Sequence, residues 1–149
     1  MNTDTHRYLE LLEQRIALLG QLAESITAAS TNLVSFDVGS LESRIAEQEK
    51  LCADVRALDS HIDRVQRQCK VHLAPSAAGI AADPETRRLQ ETGARLSKIQ
   101  STVRQLNDTH QMLLRRSRRT ASALLNSYQS FAGTYGDPAV ARASAGERQ

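Results

Sequence analysis

Leu9, Leu12, Ile16, Leu19, Ala23, Ile26, Ser30 and Leu33 follow one another at steps of three and four. That spacing returns to one side of an α-helix, and its persistence over more than three heptads predicts a helix over 4–34. Leu11, Leu18 and Leu22 lie beside this seam and widen it enough to meet two neighbours. The pattern breaks at "SFDVGS", where Asp37 can cap a second helix and Gly39 weakens helix propensity. So short a break makes the first two helices antiparallel neighbours.

The second helix is expected over 38–71, with a seam of Leu41, Ile45, Gln48, Leu51, Cys52, Val55, Leu58, Ile62, Val65 and Cys69. Its register drifts around 51–58, as a local stutter would make it do. Then comes "HLAPSAAGIAADPE", a linker of small residues ending in a helix start: Asp83 as cap, Pro84 at the first position, Glu85 in the first turn. The third helix is expected over 84–132, its seam running from Leu89 through Thr92, Leu96, Ile99, Val103, Leu106, His110, Leu113, Ser117, Thr120 and Leu124 to Tyr128 and Phe131. Gly136 and Pro138 stop it. The fold class is therefore all-α: three long antiparallel helices in a coiled-coil-like bundle, as one domain over 1–135 with a flexible tail over 136–149.

At ~1.5 Å per residue the third helix reaches about 70 Å, against about 45 to 50 Å for the others. Its C-terminal third should outrun its partners. Of the five aromatics in the chain, Tyr128, Phe131 and Tyr135 fall there. Ser117 and Thr120 weaken the seam just before them, so the aromatics either close the end of the bundle or anchor a partner helix. We expect Tyr128 and Phe131 to be partly exposed.

Composition narrows the function. A net charge of +2 makes no general demand for nucleic acid or a membrane surface. No run approaches a membrane span, and "MNTDTHRYLE" has neither a basic start nor an apolar stretch, which points to the cytoplasm. Cys52 and Cys69, about 25 Å apart on one helix, read as small apolar residues rather than a disulfide. Arg115, Arg116, Arg118 and Arg119 form the one basic cluster. A solvated face, an acidic protein partner and nucleic acid are its three readings, the last weakened by the lack of interleaved aromatics. His6, His61, His72 and His110 show no metal-ligand spacing. His110 with Asn107 is expected to form a polar layer fixing helix register. No paired carboxylates, activated nucleophile or phosphate loop is present, so neither an enzyme nor a cofactor is expected.

"YLELLEQRIALLGQL" early in the chain, then "LNDTHQMLLRRS" and "ALLNSYQSFAGTYGDP" late in it, resemble the FlgN family of flagellar export chaperones over 5–138. The resemblance implies a cytoplasmic, non-enzymatic chaperone of flagellar type III export. Such a protein binds hook-associated (hook-filament junction) proteins, prevents their premature assembly and helps deliver them to the export apparatus. It also implies substrate contacts on the last helix at Leu124, Leu125, Tyr128 and Phe131. We add Tyr135 to these anchors, and Arg115, Arg118 and Arg119 as a charged rim. The alternative is a scaffold that self-associates through the same helical surfaces; oligomeric state stays open.

Overall fold

The structure, a computed structural model, describes residues 3–69 and 84–135. Three helices account for them: α1 (Thr3–Val34), α2 (Val38–Cys69) and α3 (Pro84–Tyr135). The expected linker over 72–83, His72, and the tail over 136–149 lie outside the described residues. By its contacts the chain divides into two units, Met1–Gln111 and Met112–Gln149.

Local chemistry sets the turn between α1 and α2. The amide of Phe36 donates to Leu33 O at 3.3 Å and that of Asp37 to Asn32 O at 2.9 Å, which satisfy two carbonyls of the last turn of α1. This closure needs a left-handed residue, normally glycine or asparagine, and Phe36 supplies it at φ 58°. Its Cβ makes that conformation cost about 1–2 kcal/mol. Asp37 then caps α2 as expected, its Oδ1 accepting the Ser40 amide at 3.1 Å. The bonds from Ser40 hold the Asp37 carboxyl below its ordinary range.

Within the first unit the expected seam of α1 is one of two. Leu12, Leu19, Ala23 and Ile26 are buried as expected, as are Leu11 and Leu22, which were to widen the seam toward a second neighbour; Tyr8, Ser25 and Ala29 are buried with them. The second set repeats at its own heptad offset and faces α2. Arg15 Nη2 donates to Asp59 Oδ2 at 3.1 Å. Arg15 Nε lies 2.9 Å from Oδ1, within ion-pair reach but without hydrogen-bond alignment. Ser25 donates to Glu47 Oε2 at 2.9 Å, and Arg44 reaches the same oxygen. Those two bonds, Arg44 first, hold the Glu47 carboxyl below its usual range. The partners run 15 to 59 and 25 to 47, so α1 and α2 are antiparallel.

The first seam faces α3. Arg95 donates to Glu13 Oε1 at 2.6 Å and the buried Thr92 to the same oxygen at 3.5 Å, while Ser30 meets His110 at 2.9 Å. Those numbers rise together, so α3 runs parallel to α1. Two apolar clusters form between the helices. Tyr8, Leu11 and Leu12 pack with Ile62 and Val65, backed by Leu58 and Leu89. Leu19, Leu22 and Ile26 pack with Leu51, backed by Cys52, Ile99, Val103 and Leu106. Leu96 packs against both. Each fully buried side chain of this size contributes about 1.5–3 kcal/mol relative to exposure.

Two expectations need correcting. Ile45, placed on the seam of α2, is 41% exposed and belongs to neither apolar cluster. Asn107 is exposed and takes no part in a polar layer with His110; Ser30 of α1 does so instead. Of the cysteines, Cys52 is half-buried and free; the Cys69 side chain is outside the described residues.

Candidate partner-binding site

Helix α3 keeps one apolar face, but what that face meets changes along its length. In the first unit Leu89, Leu96, Ile99, Val103 and Leu106 are half-buried in the core, and Thr92 and His110 are buried. In the second unit Leu124, Leu125, Tyr128 and Phe131 are 66, 58, 73 and 68% exposed. At about 100° per residue, Leu124, Tyr128 and Phe131 fall within about 60° of one another and continue the heptad offset of the buried seam. Leu125 sits on the flank of this stripe, on the same side as Leu114. Residue 135 belongs to the same helical face; the Tyr135 side chain is outside the described residues.

The three arginines are elsewhere. Arg115, Arg118 and Arg119 line a shallow surface depression with Ser122, Ala123 and Asn126. By helical rotation Arg115, Arg119, Ser122 and Asn126 point about opposite to Leu124 and Phe131, with Arg118 between that face and Leu125. The site residues expected from the sequence are thus divided: an apolar stripe on one side of α3 and a basic face on the other. Sequence spacing already contained this division, since 115, 119, 122 and 126 recur at helical steps out of phase with 124, 128 and 131.

His110 marks the last buried turn of the seam, at 5% exposure. Ser30 Oγ lies 3.0 Å from Ile26 O and 2.9 Å from His110 Nδ1. The single hydroxyl proton goes to the carbonyl, so Nδ1–H of the neutral imidazole donates to Ser30. Burial disfavours the imidazolium and holds His110 below its ordinary 6.5. The unfolded chain then takes up a proton that the folded chain refuses. Stability contributed by the neutral form is present above the unfolded value and is lost as pH falls through it. Thermal melts followed by circular dichroism at about pH 7.5 and about pH 5.5 should show a drop on acidification that shrinks in His110→Asn. The carboxyls of Asp37 and Glu47 are held below their ordinary 3.8 and 4.5 and so lie outside this window. An equal drop in both proteins would remove His110 from the account.

A cleft of about 670 Å³ between α1 and α3 was not foreseen from the sequence; it is lined by His6, Glu10, Glu13, Arg88, Glu91 and Arg95 among others. Its charges are mixed and partly paired internally, with His6 3.0 Å from Glu10 and Arg95 2.6 Å from Glu13. It has the character of a packing groove. Among the described residues no group of His, Cys, Asp and Glu could hold a metal ion, and no helix is long and apolar enough to cross a membrane.

The model of the family described as FlgN protein matches residues 1–143. The chain belongs to the FlgN family. Comparison with curated proteins and with solved structures found no match. The FlgN match takes in all three helices and every candidate contact residue, so the apolar stripe and the basic face both lie inside the family's span.

Proposed function

We propose that this FlgN-family chain is a cytoplasmic, non-enzymatic chaperone of flagellar type III export. It binds a hook-associated protein before export, keeps it from assembling and helps deliver it to the export apparatus. One observation carries the reading: the heptad face that is buried in the first unit continues in the second as an exposed stripe of Leu124, Leu125, Tyr128 and Phe131. A contiguous apolar stripe with aromatic anchors is the surface on which an amphipathic helix docks. A filament subunit whose terminal segment folds only on assembly exposes such a helix beforehand. Ordering that segment on binding keeps affinity moderate, which suits cargo that must be released.

The test is co-expression with terminal segments of a hook-filament junction protein, followed by size-exclusion chromatography. Wild type should co-elute with the segment. Tyr128→Ala/Phe131→Ala, and a chain truncated after Ser122, should lose it while keeping the helical signal of the first unit. Loss of two aromatic anchors should weaken binding by about a hundredfold. Absence of co-elution for wild type would sink the chaperone reading. The self-associating scaffold draws on the same stripe, and light scattering over a concentration series separates it by a mass that grows with concentration.

A further inference from the structure

We propose that the arginine face of α3 is a second docking surface, separate from the apolar stripe, and that it takes an acidic helical segment of a protein. Between residues 112 and 133 the charged side chains are Arg115, Arg116, Arg118 and Arg119, with no Asp, Glu, Lys or His among them. All four are exposed, and none is within ion-pair distance of a carboxylate among the described residues. Between helices of the first unit, by contrast, Arg15 is matched by Asp59 and Arg95 by Glu13. Arg115, Arg118, Arg119, Ser122 and Asn126 share one depression that contains none of the apolar anchors.

The shape of the cluster selects its partner. Arg115 to Arg119 spans about 6 Å along the axis, and the polar strip continues through Ser122 to Asn126, about 16 Å in all. That length fits one to three turns of an opposing helix bearing carboxylates at i, i+3 and i+4, each met by a guanidinium fork. An extended polyanion would find nothing to follow, because the whole chain carries a net charge of only +2. A membrane surface would need a broad apolar band beside the arginines; Met112 and Leu125 border them, but Leu124, Tyr128 and Phe131 lie on the opposite side. With two faces pointing apart, α3 holds an apolar cargo helix and an acidic partner together, each without displacing the other. That joint occupancy rests on the proposed chaperone function; the acidic site itself does not.

The probe is a fluorescein-labelled alanine-based helical peptide with glutamates at i, i+3 and i+4, titrated with the full chain and read by anisotropy at low and moderate salt. Its counterpart carries glutamines. Wild type should bind the glutamate peptide, weaken as salt rises, and ignore the glutamine peptide. Arg115→Gln/Arg118→Gln/Arg119→Gln should bind about tenfold more weakly or worse. Arg56→Gln/Arg64→Gln/Arg67→Gln, on exposed positions of α2, removes the same charge and should bind like wild type. Tyr128→Ala/Phe131→Ala should also bind like wild type, even where it has lost the junction-protein segment.

Four results would overturn the proposal. These are no binding by wild type, equal losses in both arginine variants, loss in the aromatic variant, or tighter binding of a labelled DNA duplex or phosphatidylserine vesicles than of the peptide. Co-elution of cargo with the arginine variant is read separately. Its loss there would join the two faces into one site, and its absence in wild type would remove the chaperone reading while leaving the peptide result standing.

Discussion

Tyr8→Ala should unfold the chain more readily than any other single truncation of an aromatic, by about 3–5 kcal/mol. Tyr8 is 2% exposed and packs with Leu11 and Leu12 of its own helix and Ile62 and Val65 of α2, with Leu89 and Leu96 of α3 against the same cluster. Removing the ring would open a cavity where, among the described residues, all three helices meet around an aromatic. A loss of that size is a large share of an ordinary domain's stability. Burial pushes the Tyr8 phenol above its ordinary 10.0, the negative charge of Asp63 adding to the rise and Arg15 opposing it. Tyr8→Phe, which keeps the ring, should melt within a few degrees of wild type. Chemical denaturation of the two variants checks the expectation, and equal stability of Tyr8→Ala and wild type would refute it.

The second large effect is a contrast between two leucines of the same heptad pattern. Leu19→Ala should cost about 2–5 kcal/mol, since Leu19 is 7% exposed within the second apolar cluster. Leu124→Ala, at 66% exposure, should change stability by no more than about 0.5 kcal/mol. Its effect should appear instead in co-elution with the junction-protein segment. If Leu124→Ala destabilises the isolated chain as much as Leu19→Ala, the stripe is core and the docking proposal falls.

These two leucines also show what the sequence discloses. Both sit on unbroken three-four seams, and the seams were enough to place the helices within a few residues of Thr3–Val34, Val38–Cys69 and Pro84–Tyr135. A seam states which side of a helix is apolar; it does not state whether anything covers that side. Covering was inferred from unequal helix lengths, and the exposure of Leu124 and Tyr128 agrees with it. Tyr8 escaped notice because it stands one residue before the seam that begins at Leu9. It belongs to the second offset, with Leu11, Leu18, Leu22, Ser25 and Ala29. Leu11, Leu18 and Leu22 read as a widening of the first seam, and Ser25 and Ala29 added too little hydropathy to show that it continues as a second one, yet a close helix pair favours such small side chains. The arginines were read as a rim because they are near Leu124 in sequence. Rotation about the helix axis separates them from the stripe, and neighbours in a helical sequence are not neighbours on its surface.

The spacing of the polar ties between helices also orders the events of folding. Between α1 and α2 they join residues 22 to 54 apart, and the turn at Phe36 brings the helices together from one end. Ties from α3 to α1 join residues 79 to 82 apart. Closing the longer loops costs more chain entropy before any contact repays it, so the α1–α2 hairpin is set to zip first and α3 to dock onto it last. By the same reasoning α3 can release from the pair while the hairpin stays closed. The helix that carries both proposed docking faces is the last to arrive and the first to leave.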